Sequence, residues 1–254
     1  MMSDSEWMEL ESNPDVMNNL LISLGVPAKW KIFDILSLDD EYLDTISQPV
    51  LGVIFIFPFT AIYKKYCSNL MRQLEKSLQN VDPKVFFMLQ TIRNACGTIA
   101  VIHAIANNME HMNLNPASIA FKFIKKCIAL DPTEKARVFE KDAGIKEAHQ
   151  SANFYFTPTS QGGSSSAEKE DSPQAPVKTS DNHYLTLVNV NSKLYELDGY
   201  KDMPVYHGDS TKETFLKDAA RICREYIERQ PDSYNFAVLA FGESETLDEH
   251  RSQQ

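Results

Sequence analysis

His183-Tyr184-Leu185-Thr186-Leu187-Val188-Asn189-Val190, Asn191-Ser192, Lys193-Leu194-Tyr195-Glu196-Leu197-Asp198-Gly199 reads as two strands joined by a two-residue turn. In the first strand Tyr184, Thr186, Val188 and Val190 share one face; His183, Leu185, Leu187 and Asn189 share the other. If Val190 pairs with Lys193 across the turn, Leu185 faces Asp198. His183 then lies two residues along the same face, a diagonal neighbour of that carboxylate. A slip of one residue would put the two on opposite faces.

Other elements extend outward from this hairpin. Residues 51–57, Leu-Gly-Val-Ile-Phe-Ile-Phe, form a short apolar run before Pro58 and are expected as a fully buried strand. Residues 84–89 are a second strand candidate, 203–206 a short third, and 236–241 a closing strand. Asn13-Pro14 reads as a helix cap and first turn, with Val16, Leu20, Leu21 and Leu24 at helical spacing and Gly25 as the stop. Residues 99–106 are apolar nearly all round and are expected as a buried helix. Residues 118–130 and 134–142 also have helical spacing. Ser210-Thr211-Lys212-Glu213 has the form of a capping box before a helix that buries Phe215, Ala219, Ile222, Cys223, Tyr226 and Ile227. Mixed helices and strands in this order make an α/β (α+β) fold.

Residues 157–182 contain no Leu, Ile, Met, Phe, Trp or Tyr but do contain Gly162-Gly163-Ser164-Ser165-Ser166. Such a segment buries too little surface to offset ordering, so a long flexible loop is expected.

The chain has 254 residues, 25 basic and 35 acidic, for a net charge of −10, and 43% of it is apolar. That supports one sizeable core. The acidic balance argues against nucleic acid and favours a basic partner. The longest apolar run, residues 50–59, is too short for a membrane span. Residues 1–6 have no basic region leading into an apolar stretch, so no secretory signal is expected. Cys67, Cys96, Cys127 and Cys223 have neither disulfide-framework nor zinc-ligand spacing, so reduced thiols in the cytoplasm, or the nucleus, are expected, with no metal or cofactor.

Cys67, Cys127 and Cys223 sit inside helical patterns and read as structural. Cys96 differs. It follows Asn94, a candidate N-cap, so it falls in a first helical turn, where the dipole favours a thiolate. Gly97 beside it leaves room for a substrate backbone. A cysteine nucleophile needs a base and the base an orienting group, which His183 and Asp198 supply. The Cys96 backbone N–H and the Gln90 side chain, at the end of the 84–89 segment, are candidate oxyanion donors. His103 is expected in the core, His207 in a loop, and His111 and His149 at the surface.

The run Gln90-Thr91-Ile92-Arg93-Asn94-Ala95-Cys96-Gly97-Thr98-Ile99 followed by His103-Ala104-Ile105-Ala106-Asn107-Asn108 resembles the nucleophile motif of the ubiquitin C-terminal hydrolases, peptidase family C12. His183-Tyr184-Leu185 and Leu194-Tyr195-Glu196-Leu197-Asp198-Gly199 resemble the family's histidine and aspartate motifs, in the family's order. Leu10-Glu11-Ser12-Asn13-Pro14 and the last helix and strand resemble it too, and the likeness is nearest to the short, single-domain L3-isozyme type. Arg93 stands where members usually carry a small residue.

The resemblance implies a papain-like fold: a central antiparallel sheet flanked by helices, with a knotted backbone, in one catalytic domain over residues 1–254. Residues 151–182 would be a flexible crossover loop over the active site and 243–254 a tail. Cys96 would be the nucleophile, His183 the base and acid, Asp198 the orienter and Gln90 the oxyanion donor. The implied activity is a thiol-dependent deubiquitinating hydrolase that releases small adducts or peptides from the C-terminal glycine of ubiquitin through a thioester. A hydrolase for a ubiquitin-like modifier, or a catalytically weak ubiquitin-binding module, are the alternatives. Implied ubiquitin contacts are Leu10, Glu11, Ser12, Asn13, Asp15, Asp34, Ser233, Tyr234, Asn235 and Phe236, on a monomer.

Overall fold

A computed structural model describes residues 7–77, 79–154 and 182–243. Among them the chain runs α1 (Pro14–Leu24), β1 (Trp30–Asp34), α2 (Asp40–Leu43), β2 (Val50–Pro58), α3 (Ala61–Ser77), α4 (Cys96–Asn107), α5 (Met109–Met112), α6 (Ile119–Cys127), α7 (Pro132–Glu140) and α8 (Ala143–Phe154). It continues with β3 (Asn182–Val190), β4 (Lys193–Leu197), β5 (Val205–Asp209), α9 (Phe215–Glu228) and β6 (Ala237–Glu243). The strands form one antiparallel sheet ordered β1-β6-β2-β3-β4-β5.

The apolar run becomes β2, and its lack of polar alternation has a cause. Ile54 and Ile56 face a core built with α1, α4 and α6; Val53, Phe55 and Phe57 face a second core built with α3 and α9. Both faces of the strand are covered, so both must be apolar. Burying Phe55 and Phe57 contributes roughly 1.5–3 kcal/mol each.

The hairpin has the expected register: Val190 opposes Lys193 and Thr186 opposes Leu197. Asn191 and Ser192 hold φ of 52° and 57°. Two left-handed residues make the turn whose twist matches that of the flanking strands. Tyr184 joins the α4-side core and Thr186 donates to the Ala100 carbonyl of α4 at 2.7 Å, while Leu185 and Leu187 join the other core. The alternation thus places α4 and His183 on opposite faces of one strand.

α1 starts and stops where its sequence directs. The Asn13 side chain accepts from Asp15 N–H, Pro14 opens the helix, and Gly25 closes it at φ 80°. A Cβ on Gly25 would lie 2.6 Å from the Ser118 side chain, so this end admits only glycine.

Four expectations fail. Residues 84–89 form no strand. Their N–H groups find partners off any sheet: Phe86 donates to Asn107 Oδ1 at 2.8 Å and Met88 to His103 Nε2 at 3.1 Å on α4, while Val85 donates to Asp82 O and Leu89 to Pro132 O, so no neighbouring strand is needed. The Ser210–Glu213 capping box does not form. Thr211 and Thr214 bond reciprocally one position later, Ser210 is drawn to Asp218, and Ile227 is only partly buried. The 151–182 range expected as a loop overlaps regular structure at both ends, because residues 151–154 complete α8 and Asn182 begins β3; residues 155–181 lie outside the described residues. Glu243 belongs to β6 rather than to a tail, and 244–254 lie outside the described residues. β1, unread in the sequence, pairs with the outer edge of β6.

Candidate active site

Cys96 is the first residue of α4. Its backbone N–H therefore belongs to the turn whose donors have no intrahelical partners. The residue at the cap is Ala95, not Asn94, and no side chain caps the helix. Asn94 has a φ of 63° and its amide donates to Trp7 O at 3.1 Å, while Trp7 N–H donates to Arg93 O at 3.1 Å. Asn tolerates this conformation better than most residues. The turn before Cys96 is thus clamped by the chain's N-terminal segment. Gly97 does not leave space for substrate: a Cβ there would meet Leu10 at 3.1 and 3.3 Å. The glycine lets residue 10 pack on α4.

His149 helps hold that segment. It is fully buried rather than at the surface, 2.7 Å from Thr98 Oγ1 and 2.8 Å from Met8 O, with the Trp7 ring tilted against it at 4.6 Å. Its anchoring position on α8 faces α4, which the helical pattern alone did not disclose. His103 is a core residue as expected, and burial pushes its pKa down to about 3.

His183 opens the β3 core face just beyond Asn182, whose carbonyl oxygen lies 4.0 Å from Cys96 Sγ. Its Nε2 is 2.6 Å from Asp198 Oδ1, and both side chains are buried. Burial alone would lower the His183 pKa; the Asp198 charge and its hydrogen bond, helped by the nearby Cys96, outweigh burial and raise it to about 9. Phe57, Phe59 and Tyr200 surround the ring at centroid distances of 5.6, 4.8 and 6.1 Å, restricting its rotation. Burial likewise opposes ionisation of Asp198, but the His183 and Lys201 charges and bonds from His183 and Tyr63 hold its carboxyl far below the ordinary range.

Gln90 is chained to the aspartate loop: its N–H donates to Gly199 O at 2.7 Å. It follows a non-strand segment, and its side-chain amide donates to Ile92 O at 3.1 Å. Gly199 makes this approach possible, since a Cβ there would stand 3.0 Å from Gln90 Cβ.

The structure adds residues that sequence reading missed. Tyr63 donates to Asp198 Oδ2, and Lys201 contacts Tyr63, Tyr226 and Glu196, all of them buried. One signal was available: Glu196 is a carboxylate between Tyr195 and Leu197 in an apolar strand, and such a group needs a buried partner. His207, expected in a loop, lies on β5, 2.9 Å from Glu196 Oε2.

The expected contact residues divide. Ser12, Asn13, Asp15 and Asp34 line an open depression of about 380 Å³. Ser12, Asn182, Tyr234, Asn235 and Phe236 line an adjoining one of about 400 Å³. Glu11, Asp15 and Asp34 are exposed, Tyr234 is 89% exposed, and Ser233 is half-buried. Leu10 departs from its expected role: its side chain is sealed in the core, and only its backbone is used, accepting from Tyr184 OH at 2.7 Å. The depressions share Ser12 and reach Asn182, so they lead toward Cys96.

Comparison with known proteins agrees with this geometry. Residues 7–228 match the family described as ubiquitin carboxyl-terminal hydrolase, family 1. The chain is 35% identical over 232 residues to human ubiquitin carboxyl-terminal hydrolase isozyme L1, covering 91% of this chain and 96% of that protein, and equally identical over 231 residues to the isozyme L1 of Monodelphis domestica. Its fold resembles that of the Trichinella spiralis UCH37 catalytic domain bound to ubiquitin vinyl methyl ester, with a TM-score of 0.68 at 20% identity over 96% of this chain and 98% of that one. The chain belongs to the ubiquitin carboxyl-terminal hydrolases of family 1, the cysteine peptidases of family C12.

Proposed function

We propose that this hydrolase cleaves small adducts or peptides from the C-terminal glycine of ubiquitin, through a thioester on Cys96. The carrying observation is the buried His183–Asp198 pair beside a cysteine at the start of α4. An imidazolium there favours the thiolate that attacks. Sγ adds to the glycine carbonyl, and the oxyanion is met by Cys96 N–H and by the Gln90 amide once it turns from Ile92 O. Collapse breaks the bond to the leaving group, which takes the His183 proton. Neutral His183 then accepts a proton from water as the water attacks the thioester. Cleavage of the C–S bond releases the carboxylate and restores the thiolate.

The tail that must reach Cys96 needs a groove, and the two adjoining depressions supply one with acidic walls. Glu11, Asp15 and Asp34 suit a basic tail, while Ser12, Asn13, Ser233, Tyr234, Asn235 and Phe236 suit the body of the modifier. The Trichinella neighbour, solved with a ubiquitin ester, supports the same partner. Cys96, His183, Asp198 and Gln90 all come from one chain, which suits a monomer. Four free cysteines suit the cytoplasm or nucleus.

The test uses ubiquitin and a ubiquitin-like protein, each with an electrophile at its C-terminus. Labelling of Cys96 by ubiquitin, absent in Cys96→Ala, is the expected result. Labelling by the ubiquitin-like protein alone assigns a different modifier. Labelling by neither leaves a binding module.

A further inference from the structure

Behind Asp198 lies a polar cluster that the hydrolytic steps do not use. Lys201, Glu196, Tyr63 and Tyr226 are all buried, with Lys201 1% exposed. An ammonium has three donors and no acceptor. Here they go to Tyr63 OH at 3.2 Å, Tyr226 OH at 2.9 Å and the Glu196 carboxylate. Tyr63 passes its own proton donation to Asp198 Oδ2, and Lys201 Nζ stands 3.4 Å from that oxygen. Tyr226 OH donates to Glu196 Oε1 at 2.9 Å, and His207 closes the far side of Glu196.

The division of labour at Asp198 follows. Oδ1 receives His183 Nε2 and, at 2.9 Å, Tyr200 N–H; Oδ2 receives Tyr63 and faces Lys201. Donors to both oxygens leave the carboxylate one plane and one protonation state. Glu196 matters because two buried carboxylates, two residues apart at the end of β4, repel unless a cation sits between them.

We propose that Lys201, acting with Tyr63 and Glu196, is a positioning residue that fixes the Asp198 carboxylate toward His183. It touches neither substrate nor sulfur. Without it Asp198 rotates or takes up a proton, and the imidazole loses its tautomer. The role rests on the hydrolase reading given above.

The experiment compares wild type, Tyr63→Phe, Lys201→Met and the double variant Lys201→Met/Glu196→Gln. Readouts are melting temperature, kcat and KM on a fluorogenic ubiquitin amide, and the low-field proton resonance of the His183–Asp198 bond. Lys201→Met alone strands Glu196 and is expected to lose melting temperature. The double variant removes that repulsion and is expected to regain it. It nevertheless keeps a kcat roughly 100-fold down, the size of loss a small misplacement of a catalytic group produces. KM stays unchanged and the resonance is shifted or lost. Tyr63→Phe, which leaves the Lys201–Glu196 pair in place, gives a smaller fall in kcat and a shifted resonance. Restoration of kcat together with stability in the double variant overturns the proposal, as does an unmoved resonance and full kcat in Tyr63→Phe. Should the double variant not fold, Tyr63→Phe decides alone. Wild type inactive on the ubiquitin amide would count against the hydrolase reading instead.

Discussion

His183 Nε2 and Asp198 Oδ1 lie 2.6 Å apart, fifteen residues apart in sequence, and both are sealed from solvent. One tight turn brings them together. Asp198→Asn keeps the shape but offers the imidazole a neutral partner with a donor. The expected loss in kcat is about 10³- to 10⁴-fold with little change in KM, by steady-state kinetics on a ubiquitin amide. A loss below tenfold would remove Asp198 from the mechanism.

Gly199 lets Gln90 approach the aspartate loop. Gly199→Ala must push Gln90 aside, because the new Cβ stands 3.0 Å from Gln90 Cβ and 3.1 Å from its nitrogen. We expect kcat to fall roughly 10- to 100-fold, toward the loss on deleting an oxyanion donor. Combining it with Gln90→Ala should add little. Fully additive losses would show that Gly199 acts elsewhere.

Stability should peak near pH 6.5. His183 is raised from 6.5 to about 9 when folded, so its contribution is complete below 6.5 and fades as pH climbs to about 9. His103 is lowered from 6.5 to about 3 by burial, so its contribution is complete above 6.5 and fades as pH falls to about 3. Thermal melts across this range check it. His103→Gln, which keeps an acceptor for Met88 N–H, should flatten only the acid side. A melting temperature independent of pH contradicts both assignments.

Ser192 holds a φ of 57° in the hairpin turn. A left-handed conformation costs a side-chain-bearing residue about 1–2 kcal/mol, and glycine avoids it at some cost in unfolded-state entropy. Ser192→Gly should therefore stabilise by roughly 0.5 kcal/mol, read by urea denaturation, with activity unchanged. Destabilisation would mean the serine side chain supports the turn.

Asp15 and Asp34 line the depressions that lead toward Cys96, and the exposed Glu11 adjoins Ser12 at their shared edge. Neutralising all three should slow ubiquitin association and remove much of its salt dependence, leaving dissociation nearly unchanged. Stopped-flow association at two salt concentrations measures it. An unchanged salt slope would locate the relevant charge elsewhere.

The hairpin and the site divide in how legible they were. The alternation of residues 183–190, the Asn191-Ser192 turn and the placement of Asp198 are local, and period two with a two-residue turn leaves one register. Cys96 at a helix start was equally local, although Asn94 turned out to serve Trp7 rather than the helix. The 84–89 segment has strand-like composition, but Phe86 and Met88 find their hydrogen-bond partners on α4, 21 and 15 residues onward. The burial of His149 and the crowding at Gly97 have no local signature for the same reason: Trp7 and Met8 face the first and Leu10 the second.

By itself the sequence determined the β3–β4 hairpin and the buried central strand, because each depends on periodicity or spacing within a few residues. Only the tertiary structure decided what stands behind them. Tyr63 reaches Asp198 from 135 residues away, and Tyr226 reaches Glu196 from 30. A buried charge is settled by whichever distant donors the packing delivers, and no local pattern carries that information.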